Sequence, residues 1–207
     1  MDRRDFLFRI GITLVSASAY SFGESLKPLI EGKSEKVALL YGTRYGATKD
    51  TAMWIARGIG ENVDVHNIEE IDFDETLHHY KKFIIGSGIW IDGAHPRLIE
   101  LLSDHTKMMQ SKIIASFIVC GTTGEDEAGK LRIAGYFKKF HQPLQIKPKV
   151  NKYFGGRMTI EKLSEKDRKL LDNFYTKVLK KKFENWDRTN PEAAEKFGAD
   201  LSAAVAT

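Results

Sequence analysis

Lys36-Val-Ala-Leu-Leu-Tyr-Gly42-Thr43-Arg44-Tyr45-Gly46-Ala47-Thr48 decides the fold. Its first half is a continuous apolar run, without the alternation of a strand that keeps one face in water. Such a run suits a parallel strand buried on both faces. Gly42 ends it, and Thr48 to Gly60 follows with Ala52, Ile55, Ala56 and Ile59 at helical spacing. The turn between strand and helix has hydroxyls at both ends and a glycine inside, so its backbone N–H groups can point inward. The helix N-terminus adds partial positive charge, and a phosphate monoester is the natural occupant. Arg44 can neutralise part of the dianion through a bidentate contact. This loop lacks the Walker pattern G-x-x-x-x-G-K-[ST] and the dinucleotide pattern G-x-G-x-x-G.

The alternation continues outward from this unit. Asn62 to Ile68 reads as a second strand, Lys82 to Gly88 as a third, Lys112 to Gly121 as a fourth and Lys152 to Arg157 as a short fifth. Helices are expected from His95 or Pro96, over Ala128 to Phe140, and over Leu163 to Phe183. The last carries Leu170, Leu171, Phe174, Val178 and Leu179 on one side. This pattern predicts an α/β domain over 36–183, a doubly wound five-stranded parallel sheet in a three-layer α-β-α sandwich. Residues 24–35 read as a linker and 184–207 as a polar C-terminal tail, in which Pro191 to Ala206 has the composition of a helix. Ligands of such folds sit beyond the carboxyl ends of the strands, where strand order reverses. The loops after strands one, three and four are therefore the candidate site.

Thr43, Arg44, Tyr45, Gly46, Ala47 and Thr48 form the first loop. The second holds Ser87, Gly88, Ile89, Trp90 and Gly93; Gly88 permits close backbone approach, and Trp90 offers a flat face for a ring. The third holds Cys120, Gly121, Thr122 and Thr123, whose amides and small side chains suit the polar edge of a ring. Cys120 itself reads as a small buried hydrophobe. As the single cysteine it excludes an intramolecular disulfide, a four-cysteine zinc site and a cysteine-ligated iron–sulfur cluster. The six histidines show no metal-ligand spacing, and no side-chain nucleophile or acid–base pair stands out.

Thr43 to Thr48 resembles the phosphate loop of flavodoxins, and Ile84-Ile-Gly-Ser-Gly-Ile-Trp-Ile-Asp-Gly93 resembles their second flavin loop. Phe154-Gly-Gly-Arg-Met158 and Leu163 to Leu171 resemble the branch that includes the menaquinone-linked protoporphyrinogen dehydrogenases. The resemblance spans Val37 to Val178. It implies a flavodoxin-like fold that holds FMN non-covalently, its phosphate on the first loop and its ring between the second and third. Two activities follow as expectations: an electron carrier serving a redox partner protein or a quinone, or a quinone-linked protoporphyrinogen IX dehydrogenase-like oxidoreductase. In both, the flavin does the chemistry and the protein sets its potential.

The first residues read as an address. Arg3, Arg4 and Arg9 precede a 14-residue uncharged run from Ile10 to Gly23. A membrane-spanning helix needs about 20 apolar residues, so the run has the length of a signal-peptide core instead. Asp2-Arg-Arg-Asp-Phe-Leu7 resembles a twin-arginine export signal over 1–23, with Ala17-Ser-Ala19 as a small-residue cleavage pattern. It implies export after folding, with the protein periplasmic or membrane-associated. Lys138 to Lys182 carries 14 Lys and Arg against 4 Asp and Glu, so one flank is strongly positive. That charge suits an acidic partner or an anionic membrane surface. No nucleic-acid recognition motif accompanies it, so nucleic acid is not an expected partner.

Overall fold

Every residue of β1 (Val37–Gly42) is buried, and its side chains divide by strand period. Val37, Leu39 and Tyr41 enter one apolar cluster, while Ala38 and Leu40 enter another on the opposite face. The computed structural model describes residues 36–206 apart from 92, 146 and 147. The expected export signal and linker lie outside the described residues, as does Asp92.

β1 is an interior strand of a five-stranded sheet with β2 (Val63–Asn67), β3 (Phe83–Gly88), β4 (Ile113–Cys120) and β5 (Val150–Gly155). The order is β2-β1-β3-β4-β5, and every neighbouring pair is parallel. This is the flavodoxin-like order, in which the chain turns back between β1 and β3 and opens a crevice at their carboxyl ends. Both loops expected to cradle phosphate and ring leave the sheet at that crevice.

Helices cover both faces. On one side α1 (Ala47–Ile59) contributes Ala52, Ile55 and Ile59 to the cluster that holds Phe117 and Phe154. On the other, α3 (Pro96–Asp104), α4 (Thr106–Met109) and α5 (Glu127–His141) contribute Leu98, Leu101, Leu102, Met109, Ile133 and Phe140. Pro96 opens α3 as the sequence implied, and the Asp126 carboxylate caps α5 by accepting from Gly129 N–H at 2.6 Å. A short α2 (Phe73–His79) precedes β3; its polar sequence gave no helical signal.

Three expectations from the sequence are corrected. First, residues 184–207 are not a tail. After α6 (Glu165–Asn173), the last helix α7 (Pro191–Ala206) packs along α1 and sends Ala194, Phe197, Leu201 and Val205 into the core. It belongs to the same unit as the strands. α1 and α7 meet at two glycines. A Cβ on Gly198 would lie 2.0 Å from the Ile55 carbonyl oxygen, and one on Gly58 would lie 2.0 Å from that of Glu195. Polar residues on the outer face of α7 hid this stripe.

Second, the expected long helix over Leu163 to Phe183 is α6 followed by a π-helical turn, Phe174–Leu179. Leu171 is buried, but Leu170, Val178 and Leu179 are exposed rather than packed. Third, the fifth strand spans Val150–Gly155, and Arg157 belongs to a separate strand. β6 (Arg157–Met158) pairs antiparallel with β7 (Trp186–Asp187) in a two-stranded sheet. The sheet thus passes to its last helix through an arm over 156–190, where direct entry into a helix was expected.

Candidate functional site

The first loop is shaped by Gly46, whose φ of +92° lies in the left-handed region that favours glycine. Its N–H donates to Thr43 Oγ1 at 3.1 Å, closing the turn before α1. Thr48 is only 2% exposed. Its hydroxyl lies where a Cβ on Gly88 would come within 2.8 Å, so the absent side chain lets the first and second loops meet. In the second loop, Trp90 and Gly93 exchange both backbone hydrogen bonds, at 2.8 and 3.0 Å, around a tight turn with Gly93 at φ +111°. Trp90 is thereby fixed at the crevice. In the third loop the Cys120 thiol donates weakly to Thr122 O at 3.5 Å, and the Thr122 hydroxyl is 3.3 Å from Tyr136 Oη. Burial pushes the Cys120 thiol up, which keeps it neutral and poorly nucleophilic.

These loops border a single cavity of about 560 Å³. Thr43, Arg44, Tyr45, Ala47 and Thr48 line it from the first loop; Gly88, Ile89 and Trp90 from the second; Cys120, Gly121, Thr122 and Thr123 from the third. Three sequence candidates act from behind. Gly46 shapes the turn, Gly93 closes the Trp90 turn, and Ser87 is fully buried, with its hydroxyl accepting from His95 N–H at 2.9 Å.

The arm supplies residues the sequence reading missed. Arg157, Met158, Lys162, Leu163, Leu171, Phe174, Tyr175, Trp186 and Arg188 line the same cavity. Met158, Leu163 and Leu171 form a small apolar cluster against Tyr45 and Trp90 of the first two loops and Tyr175, Phe183 and Trp186 of the arm. The arm is pinned to the third loop as well. Gly156 N–H donates to Cys120 O at 3.0 Å, the Arg188 guanidinium donates to Gly121 O, and the Trp186 ring rests where a Cβ on Gly121 would come within 3.0 Å. It reaches α1 through an ion pair between Arg157 and Asp50. Both tryptophans carry a guanidinium: Arg44 sits 4.6 Å from the Trp90 ring centroid, and Arg188 sits 4.8 Å from that of Trp186. Arg132, Lys162 and Lys181 add further cations, against one lining carboxylate, Glu125. The Tyr175 phenol, half-buried and accepting from Trp186 Nε1–H at 2.8 Å, is raised by partial burial and stays protonated. The basic residues of the arm gave a charge signal, and Trp186 and Arg188 sat in a segment taken for tail.

A family comparison matches residues 38–187 to the flavodoxin domain. The chain belongs to the flavodoxin domain family. As a flavodoxin-like domain it is an FMN-binding redox protein. Among solved structures, the flavodiiron core Flv1 from Synechocystis sp. PCC6803 is similar in fold. The TM-score is 0.51 at 19% identity, over 84% of this chain and 37% of that one. The chain therefore spans little more than a third of that protein. A flavodoxin from the domain Archaea covers 83% of this chain and 99% of its own, at 17% identity and a TM-score of 0.47. Oxidised flavodoxin 1 from Bacillus cereus covers 81% and 97%, at 15% identity and a TM-score of 0.45. No curated protein matches the sequence.

The residues present fit FMN. The Gly46 turn and the hydroxyls of Thr43 and Thr48 suit the phosphate, with Arg44 beside them. Two tryptophan rings and the small residues of the third loop border the space beyond, as a planar tricycle requires. Bound there, the flavin supplies one- and two-electron chemistry; the chain holds, orients and shields it.

Proposed function

We propose that this flavodoxin-like domain carries electrons in the periplasm or at the membrane surface, exchanging them with a redox partner protein or a quinone. One observation carries the reading. Three strand-end loops and the arm close on one cavity whose lining holds six cationic side chains and one carboxylate. A cationic lining favours the flavin phosphate and holds negative charge on a reduced ring. It also draws an acidic protein or an anionic surface toward the mouth. Leu170, Val178 and Leu179 stand exposed on the arm among Lys166, Lys169, Lys177 and Lys180 to Lys182, a mixture that suits anionic lipid. The export expected from Arg3, Arg4 and the 14-residue run belongs to the same reading.

The arm also supports a second reading, a quinone-linked protoporphyrinogen IX dehydrogenase-like oxidoreductase. A carrier that meets only proteins gains little from an apolar cover over its cavity. An apolar macrocycle with carboxylate arms gains both a cover and cations for its carboxylates.

The FMN-loaded protein, kept anaerobic and used reduced for the quinone arm and oxidised for the porphyrinogen arm, separates the two. Carrier function predicts rapid reoxidation by a menaquinone analogue and no reduction of the flavin by protoporphyrinogen IX. The dehydrogenase reading predicts saturable flavin bleaching by protoporphyrinogen IX. No exchange with either quinone or a flavodoxin-accepting reductase removes the electron-transfer proposal. Cell fractionation with the Arg3→Lys/Arg4→Lys variant tests location, the variant being expected to stay in the cytoplasm.

A further inference from the structure

Helix α6 begins with Ser164-Glu-Lys-Asp167, the spacing of a capping box. The first half of the box is regular: Ser164 Oγ accepts from Asp167 N–H at 3.1 Å. In the usual second half, the acidic side chain reaches back to the N–H of the capping residue. Here Ser164 N–H donates instead to Tyr45 Oη at 2.9 Å, and the Tyr45 hydroxyl donates to Asp167 Oδ2 at 2.7 Å. The other oxygen, Asp167 Oδ1, lies 3.5 Å from Arg44 Nη1. Both carboxylate oxygens therefore serve adjacent residues of the phosphate loop, 122 positions away for Tyr45.

A carboxylate serving only its helix would not need this detour. Asp167 is 9% exposed, and a buried charge is costly unless paired and hydrogen-bonded. Beside an anion site it is also repulsive, unless a cation stands between the two. Arg44 is such a cation. Its planar fork presents five N–H donors, so one edge can face a carboxylate while another faces a phosphate. Held by Asp167 on one side and by the Trp90 ring on the other, the guanidinium has few rotamers left to lose when an anion arrives.

We propose that Asp167 is a positioning residue for the FMN phosphate, acting through Arg44 and Tyr45, and that the arm is thereby keyed to the phosphate loop. The inference rests on the FMN reading and adds a residue outside the three loops. Removing the charge leaves Arg44 unfixed and costs affinity for the phosphate, not for the ring.

Titrating the full chain with FMN and with riboflavin, followed by flavin fluorescence quenching, isolates the phosphate contribution. Asp167→Asn is expected to weaken FMN about tenfold and riboflavin less than twofold. In the Asp167→Asn/Arg44→Lys double variant, FMN affinity should fall no further than in Arg44→Lys alone. Hydrogen exchange at the amides of Ser164 and Asp167 should slow on adding FMN but not riboflavin, and this response should be lost in Tyr45→Phe. Equal weakening of both flavins by Asp167→Asn would mean a purely structural role and overturn the proposal. So would tighter FMN binding, which would mark the carboxylate as mere repulsion, or additive losses in the double variant. If wild-type protein binds neither flavin, the FMN reading itself fails, which is a different result from any of these.

Discussion

The sheet and the arm are built from opposite materials. β1, β3 and β4 are buried almost throughout, and each sends side chains into two apolar clusters covered by helices. The arm over 156–190 has three buried apolar residues of its own, while Val178 is 65% exposed. What holds it is a set of specific contacts: the β6–β7 pairing, Arg157 on Asp50, Arg188 on Gly121 and Tyr45 between Ser164 and Asp167. Apolar burial gives a rigid scaffold, and truncating a fully buried phenylalanine in one costs about 3–5 kcal/mol. A cover held by a few polar contacts opens at a fraction of the global unfolding free energy. Substitutions in the two regions should therefore report differently, the scaffold through stability and the arm through cofactor affinity.

The largest effect is expected in the scaffold. Gly198→Ala places a methyl group 2.0 Å from the Ile55 carbonyl oxygen, a backbone atom that cannot turn aside. The helices must separate, and overpacking of this kind costs about 3 kcal/mol. For a domain of this size that is a fall in Tm of roughly 10 °C, measured by circular dichroism. An unchanged Tm would mean that α7 is not seated on α1, and the three-layer account would lose one of its layers.

Trp186→Ala is the matching test in the arm. It removes the ring packed on Gly121 and the donor to Tyr175, but no side chain of either large core cluster. FMN affinity should fall about tenfold, or ~1.4 kcal/mol, with Tm moving by less than about 3 °C. A large loss of Tm with unchanged flavin binding would reverse the comparison and make the arm part of the scaffold.

The same contrast explains what was legible in the sequence. Lys36 to Gly42 and Lys112 to Gly121 announce themselves because burial on both faces demands unbroken apolar runs. The loops after them follow from topology, so most of the cavity lining contributed by those loops was foreseeable. Ser87 belongs to the second loop by position, yet it is fully buried and its hydroxyl accepts from His95 N–H. The arm left little pattern. A two-residue pairing such as Arg157–Met158 with Trp186–Asp187 is too short for periodicity. The apolar spacing from Leu163 to Leu179 has helical period, but half of it faces solvent and its end is a π-helical turn. For α7 the helix itself was legible over Pro191 to Ala206, but its place in the core was not: the alanine-rich polar sequence around Ala194, Phe197, Leu201 and Val205 reads as tail.

A smaller effect separates cap from core. Ser164→Ala removes the side-chain acceptor for Asp167 N–H, a loss of about 1 kcal/mol. If α6 opens apart from the sheet, the loss should appear as faster amide exchange across Glu165–Asn173, with little change in β1 or β4. Uniform acceleration through the domain would show that arm and scaffold unfold as one.

The smallest effect belongs to pH, and it sits in the scaffold. Burial holds the His66 imidazole below its ordinary value of 6.5, against the pull of Asp64; the ring lies 3.1 Å from the Tyr80 hydroxyl. That hydroxyl donates to Asp64 at 2.9 Å and is pushed up to about 12, so it stays protonated throughout. Because the folded imidazole takes a proton less readily than the unfolded one, acid favours unfolding. The stability it contributes is present above pH 6.5 and is lost as pH falls through the folded value. Wild type should therefore lose slightly more Tm between pH 7.5 and pH 5.5 than His66→Gln, which has no imidazole to titrate. Flavin affinity should show no difference between the two proteins over that interval, since His66 lies on β2 and lines no part of the cavity. A parallel change in affinity would mean that the edge of the sheet and the cofactor site are coupled. The division between a scaffold read by stability and a cover read by binding would then have to be redrawn.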